Sequence, residues 1–185
     1  MTVIGICNGF QALVKAGILP GTPVADAPGS EDAARAGCVA APRYTLTYNA
    51  GGHFECRWVT LRPASQRCIW TRELTELIAT PVAHGEGNFQ AATPAAIAAL
   101  QAADQIALHY VNDSGAPAQS EYPTNPNGSA ADIAGICNQR GNVLGLMPHP
   151  ENHIHPWQHP RWTRGEQGRS GLPLFRNGVM YAAAR

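Results

Sequence analysis

The chain has 185 residues, 44% of them hydrophobic and only 14% charged, which suits one domain with a buried core. Basic and acidic residues balance at 13 each, and no Lys/Arg run marks a surface for nucleic acid or anionic lipid. No stretch approaches the ~20 apolar residues of a membrane helix, and MTVIGIC lacks the basic leader of a signal peptide.

The first predicted element is the apolar run Val3–Ile6, a strand that stops at Cys7. Phe10, Leu13 and Val14 then recur at helical spacing, and Gly17 with Pro20-Gly21 ends that helix. Residues 22–43, rich in Ala, Gly, Pro and Asp, read as a loose connection. Strands are expected at 44–49 and 54–61, joined as a hairpin through Ala50-Gly51-Gly52, and again at 74–80. Residues 81–89 read as a glycine-punctuated loop. Residues 93–103 favour a helix, with Thr93 as its cap and Pro94 in its first position. A strand follows at 106–111, then a turn-rich segment at 112–131. Residues 133–138 and 142–146 form a hairpin around Gln139-Arg140-Gly141. The tail, 172–184, carries no decisive pattern. Together these elements predict a single three-layer α/β domain over 1–185, with an antiparallel part.

Five cysteines (Cys7, Cys38, Cys56, Cys68 and Cys137) stand at long spacings without a CxxC pair. A reduced, cytoplasmic setting follows, with most of them acting as small core hydrophobes. Asn112-Asp113-Ser114 and Asn127-Gly128-Ser129 match the glycan acceptor pattern, but without a secretory route they read as turns.

Cys7 differs from the other four. Gly5-Ile6-Cys7-Asn8-Gly9 is the thiol counterpart of the G-x-S-x-G nucleophile elbow. Glycines on either side allow close backbone approach, and the residue at the apex takes up strained geometry. The helix start offers free N–H groups and a positive end, both favouring a thiolate. The amide of Asn8 can serve a developing oxyanion. The competing reading is a buried structural cysteine.

A thiol nucleophile needs a base. Of seven histidines, His109 lies in an apolar strand and reads as a sheet residue, and His153, His155 and His159 read as surface or packing residues near Trp157 and Trp162. His149 sits between two prolines in Met147-Pro148-His149-Pro150-Glu151, a stiff segment that can hold a base in place. Glu151 can orient the imidazole and favour its cation. A metal site on His149, His153, His155 and His159 is disfavoured, since H-x3-H-x-H-x3-H matches no common zinc spacing.

Beyond these residues the chain resembles the glutaminase subunits of phosphoribosylformylglycinamidine synthase, a branch of the class I, triad-type glutamine amidotransferases. The resemblance rests on GICNGFQALVKAGILPG (5–21), FECRWV (54–59), PVAHGEG (81–87), YPTNPNGSAADIAGICNQRGNVLGLMPHPE (122–151), HPRW (159–162) and GLPLFRNG (171–178), in family order across nearly the whole chain. It implies a flavodoxin-like α/β fold and a Cys7–His149–Glu151 triad for glutamine amide hydrolysis. It also implies that Gly5 and Asn8 shape the elbow, that Gln11 lies near the bound glutamine, and that His84, Glu86 and Gly87 border the mouth of the site. The ammonia would pass through a tunnel to a synthetase subunit that converts formylglycinamide ribonucleotide to its amidine. ATP and magnesium would belong to that partner, with no cofactor in this chain. A small accessory subunit is a further expected partner. A catalytically weak or silent binding subunit, or another thiol hydrolase on the same fold, remain open readings.

The family pattern breaks at the start. Its members carry a substantial segment before the elbow, including a glycine-rich loop that supplies a second oxyanion donor. Here Cys7 follows one short strand, so an N-terminally incomplete domain is expected. Loss of that donor, worth ~3 kcal/mol, would leave the isolated chain a poor glutaminase.

Overall fold

The computed structural model describes residues 1–21, 43–166 and 168–184. The loose connection expected at 22–43 lies outside the described residues except for Arg43, and so does Cys38.

Six strands form the main sheet in the order β1-β8-β7-β6-β3-β4: β1 (Val3–Ile6), β3 (Glu55–Pro63), β4 (Ile78–His84), β6 (Ile106–Val111), β7 (Ile133–Cys137) and β8 (Val143–Leu146). Only β1 and β8 run parallel, with Val3 opposite Val143 and Ile6 opposite Leu146; the other neighbours are antiparallel. A separate antiparallel ribbon joins β2 (Tyr44–Thr47) to β5 (Asn88–Ala91). Among the described residues three α-helices cover the sheet: α1 (Asn8–Lys15), α2 (Pro94–Ala102) and α3 (Leu172–Ala183).

Both sheet faces are buried, which makes the three-layer architecture. One core gathers Phe10, Leu19, Phe89, Leu100, Ile106, Ile133, Ile136 and Val143, under α1, α2 and the ribbon. Phe10 and Phe89 stack at 6.0 Å between ring centroids and join helix to ribbon. The other core sets Val59, Leu61, Ile78, Val82, Leu108, Tyr110 and Leu144 against Trp70 and Leu174 of α3.

Several predicted elements stand with their expected chemistry. Thr93 caps α2, its hydroxyl accepting from Ala96 N–H at 3.2 Å. Gly17, at φ 71°, stops α1 in the left-handed conformation that glycine adopts most readily. The β7–β8 hairpin closes through Asn138 and Gly141.

Three expectations are corrected. The strand at 54–61 is not the hairpin partner of 44–49; β2 pairs with β5, while β3 runs between β4 and β6. The strand expected at 74–80 lies at Ile78–His84, so the supposed loop at 81–89 is largely strand. The glycines that suggested a loop, Gly85 and Gly87, lie between β4 and β5, while Pro81 lies within β4. β4 ends the sheet order, and an edge strand tolerates a residue without an N–H. The tail is helix α3: Leu174 and Gly178, one turn apart, are its buried positions, and Gly178 packs against the Trp70 ring. The cysteines divide as well. Cys68 and Cys137 are buried as expected, but Cys56 is exposed on β3.

Candidate active site

Cys7 stands where β1 gives way to α1, at φ 52° and ψ −108°, a region a residue with a Cβ enters only under strain. Its N–H donates to Leu146 O at 2.8 Å, and its carbonyl accepts from Phe10 and Gln11 N–H at 3.0 and 3.2 Å. The bend is therefore pinned from the sheet side and the helix side. Gly5 allows it: a Cβ there would lie 2.8 Å from the Gly9 backbone. Gly9 itself has open space where its Cβ would stand, so its contribution is the backbone that Gly5 approaches. Asn8 is exposed at the first turn of α1, and among the described residues its N–H makes no hydrogen bond outside the helix.

His149 arrives from the other end of the sequence. β8 lies next to β1, so the segment leaving β8 passes beside the strand that leads into Cys7. His149 N–H donates to Pro81 O at 2.8 Å, which hangs the segment on β4. Its Nδ1 meets Glu151 Oε1 at 2.6 Å. The imidazole is pushed up to about 10, first by the Cys7 thiol, then by the Glu151 hydrogen bond, against the burial that opposes its charge. At neutral pH His149 thus carries its proton, and a cationic imidazole stabilises negative charge on a nearby sulfur.

Sulfur and imidazole lie close enough for each to feel the other, but their geometry falls short of a full hydrogen bond. His149 Nε2 is buried without a partner, while Cys7 Sγ points at Ala83 O, 3.9 Å away. Catalytic hydrogen bonds are often this loose before substrate arrives.

The 84–87 segment forms the next wall. His84 is 4% exposed and lies inside the wall rather than at its rim. Its Nδ1 contacts Asn49 Oδ1 at 3.1 Å. Burial depresses its pKa to about 4, with the charge on His149 adding to the effect and Glu55 opposing it. Two histidines are therefore driven apart, one kept protonated and one kept neutral. Gly87 is sterically required, because a Cβ there would fall 2.2 Å from the His84 ring. Gln11 Nε2 donates to Glu86 O at 2.8 Å. Gln11, expected beside bound glutamine, thus spends its amide hydrogen on the wall, and the exposed Glu86 takes part through its backbone.

The sequence reading passed over the residues that hold this wall. Asn49, read as the end of a strand, is 3% exposed; it accepts from Gly87 N–H at 2.9 Å and donates to His84 O at 2.8 Å. Asn127 donates to Gly87 O at 2.9 Å, and Ser129 donates to the same oxygen at 3.3 Å. Asn127 is fully buried, which closes it to a glycan. The signal for Asn127 and Ser129 was the Asn-Pro-Asn-Gly-Ser motif; nothing in the sequence around Asn49 marks it.

The remaining histidines go elsewhere. His153 and His159 pack edge-on against Trp58, at 5.2 and 4.8 Å between centroids, rather than against Trp157 or Trp162. His155 does stack on Trp157, at 4.5 Å. His109 bonds Ala131 O from β6. Among the described residues no three His, Cys, Asp or Glu side chains are grouped so as to hold a metal ion, and no helix is long and apolar enough to cross a membrane.

A sulfur at a strand–helix bend, an imidazole beside it and a carboxylate behind the imidazole make the constellation of thiol-based acyl transfer. The chain belongs to the CobB/CobQ-like glutamine amidotransferase domain family, whose model matches residues 2–182. Similar curated proteins are the phosphoribosylformylglycinamidine synthase subunits PurQ of Treponema denticola, 46% identical over 97% of this chain and 66% of that one, and of Dehalococcoides mccartyi, 42% identical over 97% and 63%. A solved structure of PurLQS from Thermotoga maritima superposes with a TM-score of 0.64 at 27% identity, covering 98% of this chain and 62% of that one. The chain spans just under two thirds of the length of these relatives.

Proposed function

We propose that this domain hydrolyses the side-chain amide of glutamine and hands the ammonia to a synthetase partner. That partner would turn formylglycinamide ribonucleotide into formylglycinamidine ribonucleotide in purine biosynthesis. The observation that carries the reading is the Cys7–His149–Glu151 line beside a free helix start, in a chain whose PurQ relatives match along nearly its whole length.

In this reading the Cys7 thiolate attacks the carboxamide carbon, and the carbonyl electrons move to oxygen. The Asn8 N–H at the start of α1 faces that oxyanion. His149, already protonated, gives its proton to the departing nitrogen, so that ammonia leaves and a thioester remains. The neutral imidazole then takes a proton from water. The hydroxide adds to the thioester carbon, glutamate departs, and the thiolate returns. Glu151 holds the ring in the tautomer that presents Nε2 to the sulfur. The 84–87 wall, hung on Asn49, Asn127 and Gln11, borders the glutamine.

The synthetase subunit, with ATP and magnesium, and a small accessory subunit complete the assembly, in the cytoplasm. No step on this chain calls for a cofactor. Two measurements test the reading. A glutamine-mimicking electrophile should label Cys7; selective labelling of Cys56 instead would place the site elsewhere. In the complex with its synthetase, Cys7→Ala should abolish glutamine-dependent synthesis and spare ammonia-dependent synthesis. Loss of both together would mean that Cys7 serves assembly rather than chemistry.

A further inference from the structure

A cleft of about 290 Å³ opens between β3, the end of β6 and the segment that follows β8, and none of Cys7, His149 or Glu151 lines it. Its size is that of a small ligand pocket. Arg57, Trp58, Thr60, His159, Arg161 and Arg169 supply the chemistry of its wall.

The hydrogen-bonding capacity of this wall is unbalanced. Arg57 is committed to Glu55 at 2.6 Å and to the Tyr122 hydroxyl. Thr60 donates to Asp113 at 2.7 Å, which occupies one of the two acids on the wall. Glu166, the other, meets Arg161 at 3.3 Å with both side chains about half exposed, a loose surface pair of little strength. The Arg169 side chain has no hydrogen bond or ion pair among the described residues. Its backbone is nonetheless fixed: it sits at φ 53°, and its carbonyl accepts from Ala79 N–H at 2.7 Å.

His159 is the second, independent observation. It is only 6% exposed, and its ring is fixed edge-on against Trp58. Its Nδ1 accepts from Arg161 N–H at 3.2 Å. In the neutral ring, which burial favours, the hydrogen therefore sits on Nε2. That donor has no partner among the described residues. The Nε2 atom is not closed off from solvent: it opens onto the cleft, where it can donate to an arriving acceptor.

We propose that this cleft binds the phosphate of a small phosphate monoester. Arg169, Arg161 and His159 Nε2–H hold the oxyanion, and the organic part lies against Trp58. Two guanidinium forks and a neutral N–H suit an anion with three acceptor oxygens. The proposal rests on the cleft alone and is independent of the glutaminase reading.

Calorimetric titration of the 185-residue chain tests it, with glycerol 3-phosphate, inorganic phosphate and glycerol as probes. Glycerol 3-phosphate should saturate below about 10 mM, more tightly than phosphate, while glycerol should give no binding heat. Arg169→Ala should weaken the ester about tenfold and Arg169→Lys less, because lysine keeps the charge and loses the fork. His159→Phe should weaken it severalfold, with a thermal melt confirming that each variant folds. No saturation by either phosphate overturns the proposal, as does unchanged affinity in both Arg169→Ala and His159→Phe. Equal affinity for phosphate and the ester overturns the ester assignment.

Discussion

The Cys7 elbow and the 84–87 wall flank the same site and are built in opposite ways. The elbow is local. A glycine two residues before the cysteine, a helix start directly after it and one hydrogen bond to Leu146 hold the strained backbone. The wall is assembled from afar. Its four residues hang on Asn49, Asn127, Ser129 and Gln11, contributed by three separate stretches of chain. A nucleophile needs one strained torsion, and neighbours in sequence can impose it. A binding wall needs several backbone groups fixed at once, which calls for buried amides reaching across the fold.

The comparison can be tested by substitution, starting with the largest effect. Glu151→Gln should cost glutamine hydrolysis on the order of 10³-fold, since the imidazole loses the group that orients it. The same change removes one of the causes that lift His149 from 6.5 to about 10. In the proposed mechanism the protonated form delivers the proton to the departing amide nitrogen, so activity should fall as pH rises through this pKa, and the alkaline limb should move to lower pH in the variant. A pH–rate profile with an unmoved limb would separate Glu151 from the titration.

Asn49→Ala should cost about 3 kcal/mol in urea unfolding, because it strips partners from the buried Gly87 N–H and His84. If the wall holds itself up, the loss will be near zero. The elbow predicts a split between its glycines. Gly5→Ala drives a Cβ into the Gly9 backbone and should destabilise by about 2 kcal/mol. Gly9→Ala meets open space inside a helix and should be neutral, or stabilising by up to about 1 kcal/mol. Equal losses in thermal melts of the two would mean that the elbow is not held by close packing. A small effect is also expected for Gln11→Ala, which removes a side chain that ties elbow to wall. It should cost about 1 kcal/mol in unfolding and raise KM for glutamine more than it lowers kcat.

Legibility in the sequence followed the same division. Gly5, Cys7 and the strand-to-helix change stand within a few residues, so G-x-C-x-G was readable as a bend. His149 was readable through its two prolines, and Glu151 through its distance of two positions. β4 was misplaced because the glycines that suggested a loop, Gly85 and Gly87, lie just past its end, while Pro81 lies within it at the sheet edge. The β2–β5 pairing was missed because nothing in 44–47 or 88–91 announces a partner some forty positions away, and the nearer segment offers the lower closure entropy. Asn49 looks like an ordinary strand end and Asn127 like an ordinary turn residue until burial shows that their amides must bond within the protein.

By itself the sequence determined an α/β fold, a cysteine at a forced bend and a stiffened histidine with a carboxylate at hand. Each of these follows from steric limits or hydrophobic period over short spans of chain. Tertiary structure alone decided that the sulfur and imidazole lie side by side, because β1 and β8 pair in parallel. It also decided that one histidine keeps its proton while another is kept neutral. Those outcomes depend on which distant groups share a buried volume, and no local pattern encodes that sharing.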